Sequence, residues 1–359
     1  MTDRLGEYRS KRDKKKTPEP IPAAHPEETG QNRFVIQQHH ARALHWDVRL
    51  ERDGVLVSFA VPRGLPRDRT HNHLAKHTED HPLEYLEFHG EIPAGEYGGG
   101  QMKIFDHGTY ETRKWRDDEI EVVFHGERTT GRYIFFQTGG ADWMVRRMDP
   151  PAPGWEPMPE ELRPMLAENG RKPRDDDHWA YEMGWGGRRA LAFVSGGRVR
   201  LKGADAEDLT AWFPEIRALG PALAPVEAVL DGELVAFDGP RPDAKLLLKR
   251  KAPRDAAAAR RAAERTPVQY LAYDLLWLEG HATTEQIGYA QRRELLEGLA
   301  IAGEHWQTPP YFPGGGEFAI EAARAQGLGA VVAKRLDSPY LPGRRSPLWR
   351  AIPVAGSAI

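Results

Sequence analysis

"HHARALHWDVRLERDG", residues 39–54, places His39, His45 and Asp47 at H-x5-H-x-D spacing. Within it, "LHWDVRLE" (44–51) alternates. As a strand, it puts Leu44, Trp46, Val48 and Leu50 on one face and His45, Asp47, Arg49 and Glu51 on the other. The apolar face suits a core. On the polar face, His45 and Asp47 lie two residues apart, a separation at which strand side chains reach one ion. His39, beyond "HARAL", is placed to fold back as a third ligand. Two imidazoles and a carboxylate leave open positions on a divalent ion, and Arg49 follows on the same face with a fork that fits phosphate. A barrel strand whose polar face is merely wet fits the same letters, and a histidine pair alone does not decide between them.

The chain has 359 residues, enough for two domains, and 40% hydrophobic against 29% charged residues is ordinary for a globular protein. With zero cysteines, disulfides, thiolate zinc sites and thiol nucleophiles are excluded, so a metal here needs His, Asp, Glu or water. The first residues, "MTDRLGEYRSKRDKKK", lack the apolar stretch of a signal peptide, and no run approaches the ~18 apolar residues of a membrane span. The expectation is a cytoplasmic, nucleoid-associated protein. Net charge is −3, yet residues 9–16, "RSKRDKKK", carry six basic groups against one acid. That suits a phosphate backbone or simply a solvated tail.

The spacing predicts a basic N-terminal arm over 1–30 that docks late. From 31 to 150, short alternating runs ("FVIQQH", "VLVSFAV", "QMKIFDHGTYETR", "EIEVVFHG", "GRYIFFQT", "DWMVRRM") are separated by Gly, Asp and Pro turns, the pattern of a barrel or sandwich. "DPPAPGWEPMPEELRP" predicts a proline-rich linker over 151–164. From 165 to 359, strands such as "AVLDGELVAF" and "VQYLAYDLLWL" mix with helical "DAAAARRAAER" and "YAQRRELLEGLA", a mixed α/β domain.

A second histidine cluster, His77, His81 and His89 with Tyr85, lies in "KHTEDHPLEYLEFHGEIPAGEYGGG" (76–100). His81 precedes Pro82 and is therefore extended or in a turn. It is either a fixed acid or electrophile, or one of several surface histidines beside a flexible glycine turn.

"FVIQQHHARALHWDVRLE", "VSFAVPRG", "TEDHPLEYLEFHGEIPAGEYGGG" and "KRDKKKTPEP" together resemble the 3′-phosphoesterase domain of bacterial DNA ligase D, in order, from about Tyr8 to Pro151. The resemblance implies a small β-barrel with a manganese-type ion that removes 3′-phosphates and 3′-ribonucleotides from DNA ends. It implies His39, His45 and Asp47 as metal ligands, Arg49 on the scissile phosphate, His81 stabilising the transition state and Tyr85 supporting it. Gln37 lies beside the site, and Arg12, Asp13 and Glu19 match the family's arm. This favours the metal reading of residues 39–47. Two departures stand out: the family lysine of "VPKG" is Arg63, and an expected arginine is His73, which at neutral pH loses most of that charge. The implied chemistry is metal-assisted phosphoester hydrolysis by water, with no residue standing out as general base.

"HWAYEMGWGGRRALAFVSGGRVRL", "AVLDGELVAFD", "VQYLAYDLLWLEG" and "GLGAVVAKRLDSPYLPGRRSPLWRAI" resemble the motifs of ATP-dependent DNA ligases, whose first motif reads E-x-K-x-D-G-x-R. Ligase chemistry needs a lysine that attacks the α-phosphate, carboxylates for metal and further lysines. Gly184 stands at the lysine, Gly186 at the aspartate, Ala204 at a later arginine, Gly329 at a glutamate, and Ala351 and Pro353 at the last two lysines. Gly187, Arg189, Glu233 and Lys334 match. Glycine forms no phosphoramidate, so the expectation is a degenerate nucleotidyltransferase domain that does not use ATP, with Lys202 or another lysine as an unfavoured substitute. Only "AGSAI" follows Val354, so a following OB-fold is expected to be absent.

The overall expectation is an α+β two-domain protein: a β-barrel phosphoesterase followed by a ligase-like module. Its partners would be DNA 3′ ends or primer–template junctions, with Ku and a separately encoded ligase and polymerase by analogy, and no membrane. The alternatives are a non-catalytic scaffold on DNA ends or repair partners, and an active ATP-dependent DNA ligase.

Overall fold

The stretch "LHWDVRLERDG" folds into one arm of a hairpin. The computed structural model describes residues 3–22, 30–250 and 252–354. Strands β1 (Arg33–His40), β2 (Leu44–Arg52) and β3 (Val55–Val61) run antiparallel. Between β2 and β3, Asp53 and Gly54 adopt φ of 52° and 79°. Such a two-residue Asp-Gly turn matches the strand twist, which is why this dipeptide ends β2 cleanly.

The sheet continues through β4 (His73–His77), β5 (Gly90–Ile92), β6 (Gly100–Trp115), β7 (Glu119–Gly126), β8 (Thr130–Gly139) and β9 (Asp142–Arg147). Its spatial order is β1-β2-β3-β4-β9-β8-β7-β6, and β1 also pairs with β6, so eight strands close into a barrel while β5 pairs with β6 outside the ring. Where β1 meets β6 the register slips by one residue between Ile36 and Gln37. A bulge there re-aims the side chains that follow, Gln37 and His39 among them.

Trp46, Val48 and Leu50 are buried as the alternation predicts, but so are Asp47, Arg49 and Glu51. The polar face of β2 is therefore not wet. Over the same part of the molecule, helix α1 (Gly6–Ser10) and a 3-10 turn (Leu83–Leu86) supply Leu5, Tyr8 and Tyr85 to a core with Val55, Leu56, Ile92 and Met102. The segment read as a basic arm thus packs within the first compact unit, Met1–Pro153, with Leu5 and Tyr8 fully buried. Lys14, Lys15 and Lys16 do stay exposed.

The second unit is Gly154–Ile359. The later part of the stretch read as a linker over 151–164 packs within this unit. Glu156 N–H donates to Gly280 O at 2.7 Å, Trp277 Nε1–H donates to Glu156 O at 3.1 Å, and Met158 and Leu162 lie against buried Trp277 and Trp349. Two sheets follow. One orders strands 166–169, 345–353, 330–335, 179–184 and 312–313; the other orders 198–203, 188–195, 228–238, 268–278, 306–307 and 302–303. The predicted helices form at Ala256–Arg265, capped by Asp255 accepting from Ala258 N–H at 2.7 Å, and at Tyr289–Gly298. The tail "AGSAI" lies outside the described residues. Among the described residues, no helix is long and apolar enough to cross a membrane.

Candidate active site

The β1–β2 register sets His39 directly across from His45 and Gln37 across from Asp47. The three-residue connection 41–43 thus does what the spacing predicted: His39, His45 and Asp47 each offer a ligand atom within 4.8 Å of the others. His39 Nδ1 lies 3.2 Å from His45 Nε2 and 3.4 Å from Asp47 Oδ2; His45 Nε2 is 3.5 Å from Asp47 Oδ1. The opposite ring nitrogens are occupied by backbone carbonyls. His39 Nε2–H donates to Gly98 O at 2.9 Å, and His45 Nδ1–H donates to Ala43 O at 3.0 Å. A carbonyl only accepts, so each imidazole is left with its lone pair turned into the cluster, the arrangement that orients metal-bound histidines. Asp47 is buried, which alone would raise its pKa. The Arg49 guanidinium, 3.0 Å from its Oδ2, outweighs that and holds the carboxyl well below its usual range. Two imidazoles and a carboxylate fit a divalent ion.

Arg49 is buried and clamped. Nε–H donates to Gln37 Oε1 at 2.7 Å, one terminal nitrogen donates to Ser58 Oγ at 3.0 Å, and the other donates to Asp47 Oδ2 at 3.0 Å. A guanidinium has five N–H groups, so two stay available for a phosphate. Gln37 is fixed in turn by donating to the carbonyls of Tyr85 and Phe88 at 3.0 and 2.8 Å. The Arg49 guanidinium also lies 4.7 Å from the Tyr85 ring centre.

His81 is buried, with Nδ1–H donating to Glu79 O at 2.8 Å and Nε2 facing an Arg12 nitrogen at 3.4 Å. Burial, then the positive charge of Arg49 and Arg12, pushes its pKa well below the usual histidine value. The resting His81 is neutral, with Nε2 as an acceptor. Burial raises the Tyr85 pKa, and its protonated hydroxyl donates to Glu19 Oε1. Arg12 donates to Glu19 Oε1 at 2.7 Å and Glu79 Oε1 at 3.1 Å and stacks 3.7 Å from the Tyr8 ring centre.

Of the residues read from sequence, Arg49 bonds to Asp47, and Gln37, Tyr85, Glu19, Arg12 and His81 follow from it in one chain of contacts. Two do not. Asp13 is exposed and accepts from the N–H of Lys15 at 3.0 Å, closing a local turn. Arg63 is exposed in the turn after β3 and, among the described residues, takes no part in the network; His73 Nδ1 bonds to Gly64 O of that turn at 2.7 Å. His89 is exposed and His77 packs on Phe59 and Trp143. Sequence reasoning missed Glu79, Ser58, Tyr8 and the Gly98 carbonyl. Glu79 lies two residues before His81, so "EDH" was the available signal for it.

In the second unit, a cleft of about 430 Å3 is lined by Glu182, Gly184, Gly186, Gly187, Arg189, Glu233, Gly329, Lys334 and Trp349 among others. Lys334 is buried, its Nζ 2.6 Å from Glu182 Oε2 but off the line of a straight hydrogen bond, and 4.2 and 4.4 Å from the ring centres of Trp349 and Tyr273. Burial lowers its pKa against the pull of Glu182. Arg189 is spent on Asp231, at 2.7 and 2.5 Å. Glu233 accepts from Gly187 N–H at 2.8 Å, and burial raises its pKa. Ala204 sits on an exposed turn, while Ala351 and Pro353 pair with Val332 and Ala330 in the sheet. Lys202 lies elsewhere, its Nζ 3.5 Å from Ala206 O.

Comparison with known proteins follows this layout. Residues 37–137 match the DNA Ligase D 3′-phosphoesterase domain and residues 164–352 the ATP dependent DNA ligase domain. A relative in Mycolicibacterium smegmatis, the multifunctional non-homologous end joining protein LigD, is 43% identical over 97% of this chain and 45% of its own length. The Pseudomonas aeruginosa protein of the same name is 30% identical over 96% of this chain and 46% of its own. The chain thus spans about half the length of these relatives. The solved ligase domain of Mycobacterium tuberculosis LigD shares 38% identity over 53% of this chain and 58% of that one, with a TM-score of 0.46. The chain belongs to the ATP-dependent DNA ligase domain family, and a match to the 3′-phosphoesterase domain precedes that domain.

Proposed function

We propose that the first unit is a divalent-metal-dependent phosphoesterase that trims DNA 3′ ends, removing 3′-phosphates and 3′-ribonucleotides during end joining. The observation that carries this reading is the ligand group His39–His45–Asp47, turned inward by backbone carbonyls, beside an arginine with two N–H groups to spare. When bound, an ion of the manganese kind supplies Lewis-acid stabilisation of charge on the phosphoryl oxygens. Arg49 holds a phosphate oxygen through its unused N–H groups. His81 Nε2 is an acceptor at rest; a phosphate dianion arriving beside it favours protonation, after which the same nitrogen donates to the phosphate or the leaving oxygen. Arg12, anchored by Glu19 and Glu79, faces that nitrogen and adds positive charge. Arg63, on the surface, supplies long-range attraction rather than a contact.

For the second unit, the proposal is that it binds within an end-joining assembly, with a partner such as Ku or a separate ligase, and does not adenylate itself. Gly184 lacks a nucleophile, and Lys334 is ion-paired and caged by aromatic rings. Two assays test the pair of readings. Manganese-dependent phosphate release from a 3′-phosphate primer–template, absent in His45→Ala, supports the first; labelled ATP with magnesium should leave the protein unlabelled.

A further inference from the structure

Among the exposed large apolar side chains of the first unit is Tyr97, 48% exposed, on the glycine-rich turn between β5 and β6. A single exposed tyrosine is ordinary. This one is clamped. Lys11 Nζ lies 3.4 Å from its hydroxyl and 4.8 Å from its ring centre, Arg12 lies 5.3 Å from that centre, and the hydroxyl donates weakly to Glu79 Oε2 at 3.4 Å. The next residue, Gly98, gives its carbonyl to His39. Glu79, on the other side, gives its carbonyl to His81. Tyr97 is thus bracketed by the backbone that fixes a metal ligand and the backbone that fixes the proposed phosphate-contacting histidine.

A nucleotide whose 3′ phosphorus sits at the ligand group carries its base one sugar away, at the rim. The rim there offers an aromatic ring in contact with Lys11, Arg12 and Glu79 and a lysine suited to a neighbouring phosphate, the pairing of stacking platform and cation found where single nucleotides are gripped. We infer that Tyr97 is the stacking platform for the base of the 3′-terminal nucleotide, an inference that rests on reading this unit as a 3′-end phosphoesterase. Every base has a π-face, so the platform grips the end without selecting sequence.

The test uses the full chain and two 3′-phosphate primer–templates, one ending in 2-aminopurine, the other in a tetrahydrofuran abasic residue. For the wild type, kcat/KM favours the base-bearing end by about tenfold, within the range that loss of one base-stacking aromatic produces, and 2-aminopurine fluorescence is quenched on binding. Tyr97→Ala brings the ratio near one through KM and abolishes the quenching; Tyr97→Phe keeps both. An unchanged ratio and unchanged quenching in Tyr97→Ala, with an active wild type, overturn the stacking role alone. No phosphate release by the wild type at any metal, with Tyr97-dependent quenching intact, overturns the phosphoesterase reading and leaves the platform standing.

Discussion

Gln37 Oε1 accepts from Arg49 Nε at 2.7 Å while the same amide donates to two carbonyls of the 83–88 segment. The glutamine therefore holds the guanidinium in place. Gln37→Leu leaves the buried Arg49 Nε–H without its acceptor and takes one donor from each of two carbonyls, of which that of Tyr85 keeps the Phe88 N–H. The expected result is a 10- to 100-fold fall in kcat/KM for 3′-phosphate release, roughly what loss of an outer partner of a metal-site residue does, with manganese affinity changed less. Steady-state kinetics beside calorimetric metal titration separates the two; unchanged kinetics would return Gln37 to a packing role.

Asp47→Asn tests the ligand group directly. An amide removes the charge that faces two imidazoles and Arg49. Manganese affinity should fall by more than about a hundredfold, beyond the usual effect of an outer partner. Tight manganese binding by this variant would mean that the three side chains are not the site.

Tyr8 is fully buried, edge-on to His81 at 5.1 Å and Tyr85 at 6.0 Å, with its hydroxyl donating to Pro20 O at 2.8 Å. Tyr8→Ala should lower the stability of the first unit by about 3 kcal/mol, the low end for emptying a buried aromatic site. Urea unfolding followed by fluorescence measures it. A loss below about 1 kcal/mol would mean that Tyr8 does not anchor helix α1 to the core.

Much of this first unit was legible because alternation in β2 is strict and because "DG" ends it. The closeness of His39 to His45 follows from a short hairpin, which spacing reveals. What stayed hidden has physical causes. Helix α1 has five residues, too few for a 3.6-residue period to register, so the buried Leu5 and Tyr8 read as a polar tail. The Gly98 carbonyl that turns His39 is backbone, and carries no side-chain signal. Asp13 and Arg63 matched the family pattern by position, yet fold onto the surface. In the second unit the apolar strands were plain, whereas the pairing of Glu182 with Lys334 across neighbouring strands depended on a register the letters do not state.

His77 packs against Phe59 and Trp143, and burial lowers its pKa, with Arg4 assisting and Asp80 and Glu7 opposing. The unfolded chain therefore binds its proton more readily than the folded one. Its share of stability is fully present above the unfolded value of about 6.5 and is lost as pH falls through that value toward the folded pKa. His77→Phe keeps a ring in the pocket and removes the titration. Melting midpoints between pH 8 and pH 5 should fall less steeply for the variant than for the wild type. Parallel curves would show that other groups, such as His81, account for the acid sensitivity.

Placing a lysine at Gly184 offers the sharpest test of the second unit. Gly184 ends the strand Trp179–Gly184 opposite Ala330, and a Cβ built on it would stand 2.8 Å from the Ala330 carbonyl oxygen. Real side chains do not approach backbone oxygen so closely, so Gly184→Lys has to push apart the pair of strands that frames the cleft. Gly186, at the aspartate position, has a φ of 70° that disfavours a side chain as well. Meanwhile Arg189 and Lys334 are already committed to Asp231 and Glu182. Gly184→Lys should therefore lower the melting midpoint of this unit and remain unlabelled by ATP and magnesium. A labelled, undestabilised Gly184→Lys protein would mean that the cleft still holds a working nucleotide site and lacks a single atom group, and the proposal of a purely binding role would fall with it.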